Sequence, residues 1–391
     1  MPELHKPHVL KLPDHRSQYR SIAVGFSGDP AVDEIAAMAS EALDRMGWSV
    51  ASVRDGEASA LHCDVLLLVG SGRSFPLLGK LLRERSGAGP HVVLWHQQPL
   101  PPPVVTRRAQ EYGDKLLAAR WQDLLGTWAS GLSQLIPERG RVRTVLQRLL
   151  SIPMRREFER LGGADYGNVG WDDLCAIFEE AAWLSDAFST ARPWIDVIAC
   201  STPTRVAFLR QCGIAAQFVP LGFHADWGES SHGERDIDVL FVGTLHSPSR
   251  SSLVPQVFHQ LRDWGYRTKE VPIFPCGRER TELLQRARVV LNVLRFPWEF
   301  PGPRLFATAA CGALCVSNEA VQNEPFKAGL HFVRAPRARM AESICWLLVN
   351  EEERRRHAAR ALQSFQADFA LDACLEKLLR TAEPVRLRRA A

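Results

Sequence analysis

Three residues in the second half of the chain are of the right type to hold a diphosphate: Gly243, Arg250 and Arg304. Gly243 closes the apolar run Ile237-Asp-Val-Leu-Phe-Val242, and a glycine there lets backbone come close to a ligand. Arg250 and Arg304 each offer a planar fork of donors suited to phosphate oxygens. Arg304 follows Pro303, where a helix opens with free amides and the positive end of its dipole. The plainer alternatives are turn chemistry for Gly243 and solvated or interdomain ion pairs for the two arginines. Two further residues, Asp29 and His96, follow apolar runs and could accept a proton at the carboxyl end of a strand. Asp29 precedes Pro30 and serves equally well as a helix cap, and His96 could be an ordinary loop residue. Trp298 lies between a strand end and a helix start, where an aromatic face suits a sugar, although most of the eleven tryptophans belong in the core. The twelve histidines are dispersed, and no His-x-x-x-His or paired carboxylates stand out, so no metal is expected.

The elements that must position these groups alternate strand and helix. Apolar runs at 21–26, 64–69, 91–95 and 195–200 read as strands buried on both faces, with helical periodicity over 31–45, 76–85 and 203–212. A second series starts at 237, with predicted strands at 289–293, 313–317 and 331–333 and helices at 251–264, 279–287 and 303–311. Three closing helices are predicted over 338–349, 352–366 and 371–380. The expected organisation is a parallel-sheet domain over 1–221 with a helical insertion around 107–192, a polar linker at 222–236, and a second α/β domain at 237–368. Residues 369–391 form a last helix, expected to pack back on the first domain, and a basic tail. Two such halves face a cleft, and open parallel sheets bind ligands at the carboxyl ends of their strands.

Bulk properties narrow the class. The chain has 391 residues, 46% hydrophobic and 24% charged, enough for two ordinary cores. A net charge of +4, with basic and acidic residues mixed, argues against nucleic-acid binding. Nine scattered cysteines suit reduced thiols in the cytoplasm. No signal-like or membrane-length apolar run occurs. Richness in Ala, Arg and Leu is that of a high-GC bacterial protein.

Five segments carry a resemblance in order: Val219-Pro-Leu-Gly-Phe-His224; Asp238-Val-Leu-Phe-Val-Gly243 with Arg250 after it; Leu291-Asn-Val-Leu-Arg295; Arg304-Leu-Phe-Ala-Thr-Ala-Ala-Cys-Gly312; and Gly329 to Val333. Over about residues 195–365 they resemble the GT-B glycosyltransferases, within them the glycosyltransferase group 1 and CgeB-like branch. The resemblance implies two Rossmann-like domains and metal-independent transfer from a nucleotide-sugar (UDP-, GDP- or dTDP-linked) to an acceptor, with no bound cofactor. It places the donor against Gly243, Arg250, Trp298, Glu299 and Arg304, and a base, Asp29 or His96, in the first domain if the reaction inverts. Many such enzymes have two glutamates, one for the sugar and one for the ribose. Glu299 matches the first, but the second falls on Ala307. Glu319 or Glu324 could replace it. A 2′-deoxyribose donor would need it less, and a protein that binds nucleotide or glycan without transfer would not need it at all.

Overall fold

A computed structural model describes residues 21–84, 89–103, 169–189, 193–231, 233–300, 302–320 and 322–382, with Arg156 and Arg160. Of the helical tract expected around 107–192, residues 107–168 (apart from Arg156 and Arg160) and 190–192 lie outside the described residues, as does the basic tail.

The first half contains β1 (Ser21–Phe26), α1 (Pro30–Arg45), β2 (Ser49–Arg54), β3 (Val65–Gly70), α2 (Pro76–Glu84), β4 (His91–His96), α3 (Trp171–Ser189), β5 (Val197–Cys200), α4 (Pro203–Gln211) and β6 (Ala216–Phe218). Its six strands form one parallel sheet in the order β2-β1-β3-β4-β5-β6. The second half contains β7 (Ile237–Val242), α5 (Pro248–Asp263), β8 (Thr268–Val271), α6 (Gly277–Gln285), β9 (Ala287–Asn292), α7 (Gly302–Ala310), β10 (Leu314–Ser317), β11 (Val333–Arg334), α8 (Met340–Val349), α9 (Glu351–Asp368) and α10 (Leu371–Ala382). Its sheet is also parallel, in the order β11-β10-β9-β7-β8.

The sequence pattern explains these layers. Every residue of β3, β4 and β7 is buried, as helices on both faces require. Helix α1 turns Val32, Ile35, Ala36, Ala39 and Leu43 inward at helical spacing. β8 is half exposed along its length and carries Lys269 and Glu270, so it gives no apolar signal in the sequence.

The predicted linker is polar in composition but firmly anchored. Phe223 N donates to Phe369 O (2.6 Å), Leu371 N donates to Phe223 O (3.0 Å), and Trp227 is buried with its indole bonded to Gly222 O. Helix α10 packs on α1, β4 and β5 of the first half. The halves also meet where Glu34 of α1 accepts from Gly277 N (2.9 Å) and pairs with the buried Arg280. No helix among the described residues is long and apolar enough to cross a membrane.

Candidate functional site

In each sheet the first strand lies between the next two in sequence, so the connections diverge and leave a crevice at the strands' carboxyl ends. In the second half that crevice lies between β7 and β9. Gly243 follows β7, and Asn292 and Val293 end β9 or follow it. Arg304 reaches in from the first turn of α7, donating through Nη1 to Asn292 Oδ1 and through Nη2 to Val242 O at 2.9 Å. Arg250 reaches in from the first turn of α5, donating through Nε to Val293 O (2.8 Å) and through Nη1 to Thr244 O (3.4 Å). A Cβ at Gly243 would lie 3.2 Å from Arg304 Nη2 and 3.6 Å from Arg250 Nη1, so a side chain there would press on Arg304, and the φ of +133° favours glycine.

The electrostatics of this pair are unusual. Both arginines are nearly buried, at 8% exposure each. Their acceptors are backbone carbonyls and one amide oxygen; among the described residues no carboxylate bonds to either. Burial first, then the charges of Arg304 and Arg295, hold the Arg250 guanidinium well below its usual range. Burial does the same to Arg304. A guanidinium keeps its proton at neutral pH, so the crevice is short of negative charge. A pocket opens alongside, lined by Ser249, Arg295, Asn318, Glu319 and Arg337 among others. Ser247 caps α5 beside it, and Arg337 Nη1 donates to Ser249 Oγ at 2.7 Å.

At the carboxyl edge of the first sheet, Ser71 Oγ lies 2.8 Å from both oxygens of Glu180, and His96 Nε2 lies 2.9 Å from Glu180 Oε1. Burial alone would raise the Glu180 carboxyl. The bonds from His96 and Ser71 and the charge of Arg73 outweigh it and hold the group below its usual range. An ionised Glu180 only accepts, so His96 Nε2 is the donor, and in a neutral ring Nδ1 is then the acceptor. His96 is completely buried and its Nδ1 has no hydrogen-bond partner.

Between the two edges runs a seam. Arg205 of α4 grips Glu299 with Nε to Oε1 (2.8 Å) and Nη2 to Oε2 (2.7 Å), and Leu100 N also donates to Oε1 (3.3 Å). Trp298, 1% exposed, donates its indole N–H to Leu100 O at 2.9 Å.

Comparison with known proteins agrees with this architecture. A family model described as glycosyl transferase-like matches residues 246–380, the segment that carries Arg250, Glu299 and Arg304. Sucrose-phosphate synthase from Thermosynechococcus elongatus superposes with a TM-score of 0.51 at 12% identity, over 95% of this chain and 99% of that one. The chain has the GT-B fold. Anabaena HepE, solved with UDP and glucose, aligns at 13% identity and TM-score 0.45 over 94% of this chain and 100% of its own. TarM aligns at 11% identity and TM-score 0.43, over 52% of this chain but only 46% of TarM. No curated protein matches the chain.

Within this GT-B chain the residues singled out from sequence are only partly brought together. Gly243, Arg250 and Arg304 meet at one crevice, and Glu319, exposed, lines the adjoining pocket. Glu299 and Trp298 do not face that crevice with free polar groups, because the seam engages the carboxylate and the indole N–H. Asp29 caps α1, accepting from Ala31 N at 2.9 Å, which is the plainer of its two readings. Ala307 is fully buried in the core, so that position offers no polar group at all. Arg205, Glu180 and Asp173 went unnoticed in the sequence because each is a helical charge whose partner is distant in sequence. One trio, Glu41, His224 and Asp226, brings potential metal-ligand atoms within 4.8 Å of one another despite wide spacing. The Arg45 guanidinium already stands there, 3.0 Å from His224 Nε2 and 2.7 Å from Glu41 Oε1.

Proposed function

We propose that this chain is a glycosyltransferase that binds a nucleotide-sugar in its second half and passes the sugar to an acceptor held by the first. The observation that carries the reading is the pair of buried guanidiniums, Arg250 and Arg304, lacking any bonded carboxylate beside Gly243. Transfer breaks the bond between the sugar's anomeric carbon and the diphosphate, and the departing oxygen takes the electron pair. Fixed cations in a site of low polarity stabilise that charge without rearranging. The two arginines supply this positive charge from the protein itself, so the reaction needs no metal; EDTA is expected to leave it intact. In an inverting reaction His96 Nδ1, buried in this structure, would first have to open to the acceptor and would then take the proton of its hydroxyl as the oxygen attacks, with Glu180 steadying the imidazolium. Asp29 is the less suitable base, since its carboxylate caps a helix. The acceptor is a natural product, a glycan or a protein, and the scattered cysteines favour the cytoplasm as the place of action.

The test is calorimetric titration with UDP, GDP, dTDP and their glucose conjugates, followed by release of the nucleoside diphosphate in the presence of candidate acceptors. Binding of one series, weakened about ten- to a hundred-fold in Arg304→Met, is the expected result. A deoxyribose donor is the weaker sub-hypothesis, and a clear preference for UDP over dTDP would remove it. A second reading, binding without transfer, is favoured by Ala307 and by the seam's hold on Glu299. Donor binding with no turnover across acceptors would establish it.

A further inference from the structure

One anion already stands at the edge of the donor crevice, and it belongs to the other half of the molecule. Asp173, in the first turn of α3, pairs through Oδ1 with Arg295 Nε (2.7 Å) and Nη2. Arg295 lines the pocket beside the Arg250–Arg304 pair. A Cβ on Gly170, just before α3, would lie 3.3 Å from Asp173 Oδ2 and 3.7 Å from Pro248 Cδ, so this carboxylate and the opening turn of α5 flank the same point. Its charge is also felt by Arg250. The site is poorly completed for a purely structural ion pair. Asp173 is 4% exposed, and its Oδ2 has no hydrogen-bond partner. A buried carboxylate oxygen left without a donor is costly, and so is a buried cation without an anion.

We infer that Asp173 is an internal occupant of the donor's phosphate site, displaced when a diphosphate binds. The inference rests on the donor site proposed above. A diphosphate brings more negative charge than one carboxylate and can reach Arg250, Arg304 and Arg295 together. Once it does, Arg295 no longer needs Asp173. The opening turn of α3 is then released from the second half. The same helix carries Glu180 onto Ser71 and His96, Glu179 onto Arg73 (3.1 Å), and Trp183 against Gly72. Donor binding in one half would therefore loosen the helix that covers the carboxyl edge of the other, where the acceptor is expected. The two substrates become coupled through one carboxylate.

The experiment measures inorganic pyrophosphate and UDP affinity of the full chain by calorimetry at fixed ionic strength, for wild type, Asp173→Asn and Glu179→Gln. Asp173→Asn keeps the shape and removes the competing charge, so both ligands should bind about ten-fold more tightly. Glu179→Gln removes a surface pair on the same helix and should leave affinity unchanged. Hydrogen exchange on wild type provides a readout independent of any variant's folding: saturating pyrophosphate should speed exchange of the amides at 171–178. Equal or weaker binding by Asp173→Asn, or unchanged exchange in ligand-saturated wild type, would overturn the inference and leave the donor site standing. If neither wild type nor variant binds pyrophosphate or any nucleotide, the donor site itself fails and this inference falls with it.

Discussion

Replacing Glu299 by leucine separates two roles that this residue could have. In the structure its carboxylate takes two hydrogen bonds from Arg205 and one from Leu100 N, with both ionic side chains 6% exposed. The Glu299 charge is the main influence favouring the Arg205 guanidinium against its burial. Without it, Arg205 keeps Ser201 Oγ at 3.1 Å and a long contact of 3.5 Å to His96 O. Removing one partner of such a buried pair costs about 3–5 kcal/mol, mostly because the other charge stays behind. With a urea dependence of about 3 kcal/mol per molar, the unfolding midpoint should fall by about 1 M or more. Urea titration followed by tryptophan fluorescence suits the question, because Trp298 lies on the same seam. The double variant Arg205→Leu/Glu299→Leu should recover part of the loss, since no charge is left buried alone. A Glu299→Leu midpoint within about 0.2 M of wild type would refute this reasoning. If that stable variant also lost nucleotide-sugar binding, Glu299 would be a donor ligand and the seam incidental.

Two other perturbations test the packing that supports the site. His331 accepts from Lys327 N (2.8 Å), bonds Ser364 Oγ (3.0 Å) and stacks on Phe365, and burial pushes its pKa from 6.5 down to about 4. The folded ring stays neutral while the unfolded ring takes a proton, so stability is lost as the pH falls from 6.5 towards 4. Roughly 1–2 kcal/mol should be gone by pH 5, and His331→Leu should flatten that part of a stability–pH profile; an unchanged slope would contradict it. Ala307→Glu, which restores the glutamate spacing of related enzymes, should not create a ribose ligand. It places a carboxylate among Phe306, Leu305 and their core neighbours, at a cost of about 4 kcal/mol or more; a soluble variant with a wild-type midpoint and tighter nucleotide binding would show this placement to be wrong.

Strands buried on both faces were legible because β3 is a continuous apolar run and β4 and β7 are interrupted only by His91, His96 and Asp238. β8 was not, since an edge strand with Lys269 and Glu270 has no such run. The crevice was legible through Gly243, Arg250 and Arg304 because strand end, turn and helix start occur in fixed order. What escaped the sequence was pairing. Nothing local to Arg205 announces Glu299, 94 positions later, and nothing near Asp173 announces Arg295. Glu299 and Trp298 read in the sequence as ligands of a substrate, and the partner that each has across the seam was hidden for the same reason. Such contacts come from how the halves meet, which short-range patterns do not encode.

The Arg250–Arg304 crevice is proposed to bind the diphosphate of a nucleotide-sugar. Calorimetry with UDP, GDP, dTDP and their sugar conjugates, on wild type and on Arg304→Met shown to be folded by its unfolding curve, tests it most directly. Each guanidinium–phosphate contact is worth about 1.5–3 kcal/mol, so the variant should bind about ten- to a hundred-fold more weakly. Equal affinity in the two proteins, or no binding of any nucleotide to wild type, would contradict it.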